Sequence, residues 1–430
     1  MKEILCVQIG QCGNQIGTQF WEQISSEHRI NSNGSLYGDS DIPIQKINTY
    51  FNEMSSGSYH PRAIIIDLDP NTISLLKISM FGKLFNPANI ILGKLGTGNN
   101  WATGHYTIGT DLIQPALDAI HKEAENCDNL QGFQFTHSLG GGTGSGFGCL
   151  LLSKLKEEYP DKLIQDFPLF PSLSTSNVLA EPYNTVLSIP SLIECADLTH
   201  IIDNEALYDI CLRELHLSTP PFGTLNQIAS SLMADITCPL RFSGEQTMSL
   251  RELAVNLIPF SRLHFFTIGR APLVFSAFRA YTLSELIQEM LDAKNMLCDF
   301  NLSKGKYLSA QAIFRGKNST KEGEDRMLYA KSTMNFIDWS STNTKTYFCN
   351  EPPIGLKKSA TFIGNSTSII ELFKKILIYF TPIFNRKSYV HWFTNEGMDI
   401  LELSEAETNI NDLISEYNQY QEPSNDLIYE

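Results

Sequence analysis

Five glycines fall within the seven residues 140–146, and this stretch constrains the fold more than any other part of the chain. Glycine loses more conformational freedom on folding than other residues, so such a cluster is expected where the backbone must approach another group closely. Residues 133–137 alternate aromatic and polar side chains, as a strand does, and residues 147–159 read as an apolar-rich helix that Pro160 ends. A strand, a glycine loop and a helix in this order point backbone N–H groups at an anion, which predicts a phosphate site.

Two common phosphate loops do not fit this stretch. No G-x-G-x-x-G register exists between Gly140 and Gly148, and no Gly-Lys-[Ser/Thr] sequence occurs in the chain. The next cation, Lys154, lies about two helical turns too far along to reach the loop. Backbone dipoles and a metal ion would therefore have to neutralise a bound polyphosphate. A flexible Gly/Ser linker is the alternative, although linkers are not usually placed between a strand and a helix.

The pattern of strand, tight turn and helix recurs along the first half of the chain. Residues 2–9 predict a strand, residues 10–13 a turn and residues 14–24 a helix, and the buried strand at 62–68 ends in Asp67 and Asp69. Such alternation predicts an α/β fold with a doubly wound parallel sheet, whose ligand site lies at the carboxyl ends of the strands. We predict a nucleotide-binding domain at 1–204, an intermediate α+β domain with a mixed sheet at 205–380, and a helical region with a short acidic tail at 381–430.

Two capping boxes predict helix starts in the second half of the chain. Thr282 with Glu285 would begin a helix that runs to Met296, and Ser404 with Glu407 would begin the last helix. The apolar stripe of that last helix is interpreted as packing rather than as a binding motif; it consists of Ile410, Leu413, Ile414 and Tyr417.

Composition narrows the function further. The formal net charge of −15 argues against a nucleic-acid partner, and the apolar runs are too short to span a membrane. Nine cysteines without C-x-x-C pairs indicate neither a zinc site nor a disulfide framework, which favours a cytosolic protein with reduced thiols. After Lys387 the chain has ten acidic residues and no lysine or arginine, which predicts either a docking surface for basic partners or a solvated helix face.

Several segments resemble the tubulin family. The most specific is GGGTGSG at 140–146, and the others are GQCGNQIG at 10–17, GNNW at 98–101, EPYN at 181–184, IDNEAL at 202–207, DAKNM at 292–296 and EGM at 396–398. SATFIGNST at 359–367, which follows Pro352 and Pro353 without the insertion that α-tubulins carry, is similar to β-tubulin in particular.

The resemblance implies a GTP site between subunits that stack head to tail. The residues that match its GTP contacts are Gln11, Ser138, Gly142, Thr143, Gly144, Asn204 and Asn226. Asn204 and Asn226 each offer a donor and an acceptor to a purine or ribose, although asparagine is also a common helix cap. Phe222 stands where the family usually has a tyrosine that stacks on guanine, and Asp69 stands where it has a glutamate on the Mg²⁺ side.

Other departures from the family pattern indicate a divergent member. Asn177 replaces an aspartate near the ribose, and the C-terminal tail from Glu422 to Glu430 is short. The lateral loop after Leu273 lacks a few residues, which predicts altered side-to-side contacts in a polymer; Phe275, Ser276, Ala277 and Phe278 stand there, and the two aromatic residues could equally turn into the core.

The resemblance implies a structural subunit of microtubules that binds GTP with Mg²⁺, pairs with α-tubulin and completes hydrolysis in trans after assembly, with low intrinsic turnover. Basic microtubule-associated proteins or motors would be further partners in the cytoplasm and cytoskeleton. The alternative is a divergent regulatory tubulin that caps or decorates a specialised array. An independent GTPase is not favoured, because the glycine loop has no obvious base.

Glu252 is the candidate catalytic residue. In α-tubulins the matching acid reaches the GTP of the adjoining β subunit and activates water, whereas β-tubulins usually place a lysine there. This chain otherwise resembles β-tubulin but has the acid. A carboxylate can deprotonate water, although a solvent-facing Glu in a helix needs no function.

Overall fold

The computed structural model describes residues 2–37, 46–73, 76, 81–176, 178–217, 219–242, 244, 248–273, 281–300, 302–337 and 344–421. Several predictions concern positions outside these ranges. These positions are Asn177, which stands where the family pattern has an aspartate, the lateral loop with Phe275, Ser276, Ala277 and Phe278, and the acidic tail that begins at Glu422.

Most strands belong to one large sheet, and a small hairpin stands apart from it. In chain order the strands are β1 (Glu3–Ile9), β2 (Phe51–Glu53), β3 (Tyr59–Pro61), β4 (Ala63–Asp67), β5 (Ile90–Leu92), β6 (Leu130–Ser138), β7 (Leu163–Phe170), β8 (Leu198–His200), β9 (Ile202–Asp203), β10 (Phe265–Ala271), β11 (Tyr307–Arg315), β12 (Thr344–Cys349) and β13 (Ser359–Ser366). The order across the large sheet is β12-β11-β13-β10-β8-β7-β6-β1-β4-β5, with β9 beside β7, and β2 and β3 form the hairpin.

Helices cover the sheet and fill the end of the chain. They are α1 (Gly10–Glu27), α2 (Ile108–Glu125), α3 (Gly148–Glu158), α4 (Glu181–Cys195), α5 (Asn204–Glu214), α6 (Phe222–Arg241), α7 (Leu250–Leu257), α8 (Leu283–Leu291), α9 (Thr320–Thr333), α10 (Ile370–Asn385), α11 (Val390–Thr394) and α12 (Ile400–Gln421). The predicted fold class is confirmed: a largely parallel sheet with flanking helices, a mixed sheet and a C-terminal helical region.

The parallel and mixed parts of the sheet are continuous. Strands β5, β4, β1, β6, β7 and β8 pair in parallel, and β10 joins them through Phe265 and Phe266 opposite Thr199 and His200. Beyond this seam β10 and β11 each pair antiparallel with β13. The predicted domain boundary at 204/205 lies at the start of α5, and that at 380/381 lies within α10. The division into domains stays a prediction.

The first strand shows how the sheet separates two cores. Leu5 and Val7 lie in one apolar cluster, with the helices α2, α3, α4, α10 and α12, whereas Ile4 and Cys6 lie in the other, with α1, α6 and α7. Side chains alternate between the faces of a strand, so a strand covered on both faces is apolar throughout. All seven residues of β1 are buried accordingly.

Three local predictions were wrong. Residues 10–13 are not a separate turn, because α1 begins at Gly10 directly after β1. Helix α8 ends at Leu291 and not at Met296. Ser404 lies inside α12, and the helix is capped earlier: the Asp399 carboxylate accepts from the Leu401 N–H (3.1 Å), while Glu402 accepts from the Asp399 N–H (3.1 Å).

Two further predictions for the second half of the chain, the capping box at Thr282 and the apolar stripe of the last helix, agree with the structure. Thr282 and Glu285 form the capping box of α8. The stripe of α12 packs into the core, because Ile410, Leu413, Ile414 and Tyr417 are all buried. Within the ranges that the structure describes, no helix is both long and apolar enough to cross a membrane.

Candidate functional site

The glycine loop connects β6 to α3 at the carboxyl end of the parallel strands, where open α/β sheets bind ligands. A π-helical turn at Thr143–Phe147 leads into α3, and the Gly146 N–H donates to the Gly142 carbonyl (2.9 Å). Wider turns of this kind occur often at functional sites. The turn places the peptides of the loop around a cavity instead of continuing the strand.

Close packing explains why the loop needs glycine at particular positions. A Cβ atom on Gly142 would lie 2.6 Å from the carbonyl oxygen of Asn100 and 2.4 Å from the Thr97 hydroxyl. A Cβ atom on Gly144 would lie 2.6 Å from the Ser138 carbonyl oxygen. By contrast, a Cβ on Gly141 would meet nothing closer than Asn99 Oδ1 at 4.0 Å. Two glycines therefore serve the packing of the loop, whereas Gly141 faces open space.

Gly10 brings a second backbone segment to the loop. Its φ of +75° belongs to the left-handed region, and a Cβ there would lie 3.1 Å from the Gly144 nitrogen. The sharp change from β1 into α1 leaves the first N–H groups of α1 beside the glycine loop. Gln11, which follows at once, is exposed and lines the same cavity.

The opposite wall of the cavity comes from α5 and α6. Asn204 is the first residue of α5, and Asp203, not Asn204, caps that helix by accepting from the Glu205 N–H (3.0 Å). Asn226 is buried within α6 and donates to Gln15 (3.2 Å). Since neither asparagine is a helix cap, the capping interpretation of these two residues is wrong. Phe222 opens α6 with 66% of its surface exposed.

One cavity of about 550 Å³ unites the candidate ligand contacts, which is a usual size for a small-molecule site. All nine predicted binding residues line it: Gln11, Asp69, Ser138, Gly142, Thr143, Gly144, Asn204, Phe222 and Asn226. No lysine or arginine is among its lining residues within the described part of the chain. An anion there would meet backbone N–H groups and side-chain amides rather than a cationic side chain.

Three carboxylates line the cavity, and they differ in how they are engaged. Asp67 accepts from the Asp69 N–H (3.1 Å) and from the Thr72 hydroxyl (2.5 Å), and burial raises its pKa. Asp69 accepts from the Asn71 N–H through Oδ1 (3.0 Å) and is only half-buried. Asp67 is therefore a structural part of the loop, while Asp69 Oδ2 has no hydrogen-bond partner among the described residues.

Glu181 is a site residue that sequence reasoning missed. Its motif was noted only as a family signature, yet the side chain lines the cavity at the start of α4. Burial raises the pKa of Glu181, and its Oε2 atom is buried without a hydrogen-bond partner in the described structure. An unpartnered buried acceptor that faces a cavity is suited to a ligand hydroxyl group.

Asp69 fits a magnesium ion that keeps most of its own water. Mg²⁺ commonly uses one or two protein carboxylates together with phosphate and water, and Asp69 Oδ2 offers one such oxygen. No group of three or more His, Cys, Asp or Glu side chains is arranged around a possible metal position in the ranges described above. The protein side chains alone therefore do not enclose a metal ion, and a bound phosphate would have to complete its coordination.

Glu252 does not line the cavity. It lies in the first turn of α7, where it is half-buried and accepts a hydrogen bond from the Tyr347 hydroxyl (3.3 Å). Burial and the Glu252 carboxylate raise the pKa of Tyr347 to about 12, so the phenol stays protonated as a donor. Glu252 is therefore not among the residues that a ligand in this cavity would contact.

Among the described residues, four acids of the C-terminal segment have side-chain partners within the chain. Glu396 accepts from Thr107 (2.8 Å), Glu402 from Tyr106 (2.5 Å) and Glu407 from Thr381 (2.8 Å). Glu416 pairs with Arg262 (2.5 Å). These contacts engage the four acids within the chain, whereas Glu405 and Asp412 of α12 are exposed, so both the solvated-face and the docking interpretations stay predictions.

The fold and the cavity define an α/β protein that binds a phosphate-bearing ligand through a glycine loop and two facing helices. Comparison with known families agrees with this class. The Tubulin/FtsZ family GTPase domain matches residues 3–212, and the tubulin C-terminal domain matches residues 261–378. The chain belongs to the tubulin/FtsZ family.

Proposed function

We propose that the chain is a GTP-binding structural subunit of microtubules that pairs with an α-tubulin. The main observation in support of GTP binding is that all nine residues expected to contact GTP line one cavity. Its position at the carboxyl ends of parallel strands supports the same conclusion.

Each wall of the cavity suits a different part of GTP. The N–H groups of the glycine loop and of the first turn of α1 receive the phosphates. Asn204 and Asn226 present amides to the purine or ribose, and the exposed ring of Phe222 offers a flat surface for the base. The unpartnered Glu181 oxygen accepts from a ribose hydroxyl.

Mg²⁺ is the expected counterion, since the described residues that line the cavity include three carboxylates and no cation. We propose that Asp69 holds this ion through a water molecule, because its side chain is one methylene shorter than the usual glutamate. When bound, the ion would neutralise phosphate charge, while the residues of this chain orient the nucleotide.

Hydrolysis is proposed to need a second subunit. The glycine loop provides N–H groups but no base, so the subunit alone has low turnover. Glu252 lies outside the nucleotide cavity of its own chain. Head-to-tail stacking of subunits would bring it to the nucleotide of the neighbouring subunit. The enzyme activity is then a GTPase coupled to polymerisation.

The proposed location is the cytoplasm, in the microtubule cytoskeleton. Microtubule-associated proteins or motors with basic surfaces would bind the exposed acids of α12, such as Glu405 and Asp412. A divergent regulatory tubulin that caps or decorates polymers is the second candidate. It is favoured by the departures at Asp69 and Phe222, which both lie in the cavity.

Co-assembly tests the two candidates together. Purified protein is mixed with α-tubulin, GTP and Mg²⁺, polymer is sedimented, and its lattice is examined by electron microscopy. Sedimentable polymer with both subunits along its length supports the structural subunit. If this protein is found only at the ends or on the outer surface of the polymer, the result supports the regulatory subunit. GTP turnover that needs no α-tubulin contradicts both candidates.

A further inference from the structure

A buried histidine–aspartate pair lies directly beneath the glycine loop. His137 is on β6 and Asp166 on the neighbouring strand β7, and both side chains are fully buried. One ring nitrogen of His137, Nδ1, is 2.6 Å from the Gly144 carbonyl oxygen, and the other, Nε2, is 3.0 Å from Asp166 Oδ2. The pair thus links the interior of the sheet to a residue that lines the nucleotide cavity.

The two contacts together require one extra proton. A carbonyl oxygen only accepts hydrogen bonds, so Nδ1 must carry a hydrogen. Nε2 then either donates to an Asp166 carboxylate, as an imidazolium, or accepts from a protonated Asp166. In both cases the pair holds one proton more than a neutral imidazole beside a carboxylate.

The surroundings favour retention of this proton. Burial opposes a charged imidazole, but Asp166 and the Gly144 carbonyl outweigh it and raise the pKa of His137. Among the described residues, Asp166 is the only side chain whose charge perturbs His137. The thiols of α1 and α3, Cys12 and Cys149, stay neutral because burial raises their pKa to about 12 and about 11.

The His137 ring contacts the Gly144 peptide directly. The loop and the histidine are closely packed, because a Cβ atom on Gly148 would lie 3.0 Å from His137 Nδ1. The Gly144 carbonyl and the Ser145 N–H belong to one planar peptide, so fixing the carbonyl also fixes that N–H. If the proton were lost, a lone pair of the ring would face either the carbonyl oxygen or the carboxylate.

We propose that His137 and Asp166 are positioning residues for the nucleotide phosphates, and that the proton they share holds the Gly144 peptide in its binding orientation. This inference rests on the proposed function, since it assigns a role to residues that do not touch the nucleotide. The pair acts through the loop.

The variant Asp166→Asn distinguishes a positioning role of the His137–Asp166 pair from a role in packing alone. The asparagine amide donates to Nε2 of a neutral His137, so Nδ1–H still donates to Gly144 without an extra proton. GTP affinity is measured for both proteins over a pH series that starts near the ordinary histidine pKa of about 6.5 and rises from there, because the pKa of His137 is raised. Because the raised pKa favours the protonated pair, the contact is present at low pH and is lost as the pH rises.

At low pH the two proteins are expected to bind GTP equally. At high pH the wild type should bind about tenfold more weakly than Asp166→Asn, which corresponds to the loss of one hydrogen bond. Titration of GTP itself affects both proteins and cancels in the ratio. His137→Phe, which keeps a ring but has no donor, should bind weakly at every pH.

The outcomes are distinguishable. If the wild type binds no GTP at any pH, the proposed function fails. If it binds GTP but the affinity ratio to Asp166→Asn does not change with pH, or His137→Phe binds as the wild type does, the positioning role is wrong. Should Asp166→Asn not fold, the unchanged affinity of His137→Phe still contradicts the proposal.

Discussion

The nucleotide cavity and a buried ion cluster at the C-terminal end of α1 are both polar, but only the cluster pairs each of its charges with an opposite one. In the cluster, Arg241 and Arg315 contact Glu27 (2.7 and 3.1 Å), and Arg270 and Arg315 contact Asp235 (2.6 and 2.7 Å). The two arginines beside Glu27 outweigh the effect of burial and lower its pKa to about 2. Every charge in the cluster thus has an opposite charge beside it.

The cavity lacks such internal partners. Its lining residues include carboxylates but no cation, and the buried Glu181 Oε2 atom has no hydrogen-bond partner within the described structure. Because this unpaired oxygen belongs to a residue that lines a cavity, it is suited to accept from a ligand. The chain therefore balances its charges internally in one region and leaves polar groups open to a ligand in the other.

The largest expected effect is on the rate of GTP hydrolysis, for which the glycine loop provides no base. If Glu252 acts on the nucleotide of a neighbour, Glu252→Lys should slow hydrolysis of that nucleotide by about a hundredfold to ten-thousandfold without abolishing binding. Hydrolysed GTP per heterodimer is counted after assembly, with Glu405→Lys on the exposed face of α12 as the control for charge. Turnover of no more than one GTP per heterodimer, unchanged in Glu252→Lys, would show that Glu252 is only a surface residue.

A substitution in the ion cluster should lower the stability of the fold. Asp235→Asn leaves Arg270 and Arg315 without their shared carboxylate, which should cost about 3–5 kcal/mol of unfolding free energy. The exposed Asp412→Asn on α12 is the matched control and should cost almost nothing. Urea titrations measure both. A stability equal to that of the control would mean that the cluster is not a complete unit.

Two neighbouring glycines separate packing from ligand contact. Gly142→Ala forces a Cβ atom against the backbone of Asn100 and should destabilise the protein by about 1–3 kcal/mol. Gly141→Ala meets no such contact, so it should preserve stability and lower GTP affinity by filling the cavity. Thermal unfolding without nucleotide and GTP titration distinguish them. Equal destabilisation by both variants would contradict the assignment of Gly141 to the ligand side.

The smallest effect is expected at Asp69. Asp69→Ala should lower Mg²⁺-dependent retention of GTP by about tenfold, since the ion would keep its water and phosphate ligands. Asp69→Glu restores the carboxylate with a longer arm and serves as the control. Retention is followed by gel filtration across a magnesium titration, and identical curves for Asp69→Ala and the wild type would exclude Asp69 from the ion site.

Much of this organisation could be predicted from local sequence. Strands and loops around the glycine cluster were placed correctly because glycine spacing and alternating apolar residues act over a few positions. Gly10 shows the limit: its sequence resembles a turn, but the left-handed φ starts a helix at once. Helix α9 was not predicted because its surface is largely polar, and among its residues only Gly323, Met327 and Ala330 are buried.

Contacts between distant segments could not be predicted in this way. Glu181 is recognisable as a site residue only when its unpartnered oxygen is seen in the cavity. The same holds for His137 and Asp166, which are 29 positions apart and meet only because β6 and β7 are neighbours. Asp399 replaces Ser404 as the cap because packing of the helical region decides where α12 begins.

Binding of guanine nucleotide to the stripped protein tests the central claim most directly. The protein is freed of nucleotide by chelation and gel filtration, and GTP binding with Mg²⁺ is measured by equilibrium dialysis for the wild type and for a variant with Asn204→Ala and Asn226→Ala. We predict stoichiometric GTP binding by the wild type and strongly weakened binding by the variant, with both proteins folded. Absence of binding by the wild type, or equal affinity of the two proteins, would contradict the assignment of this cavity to GTP.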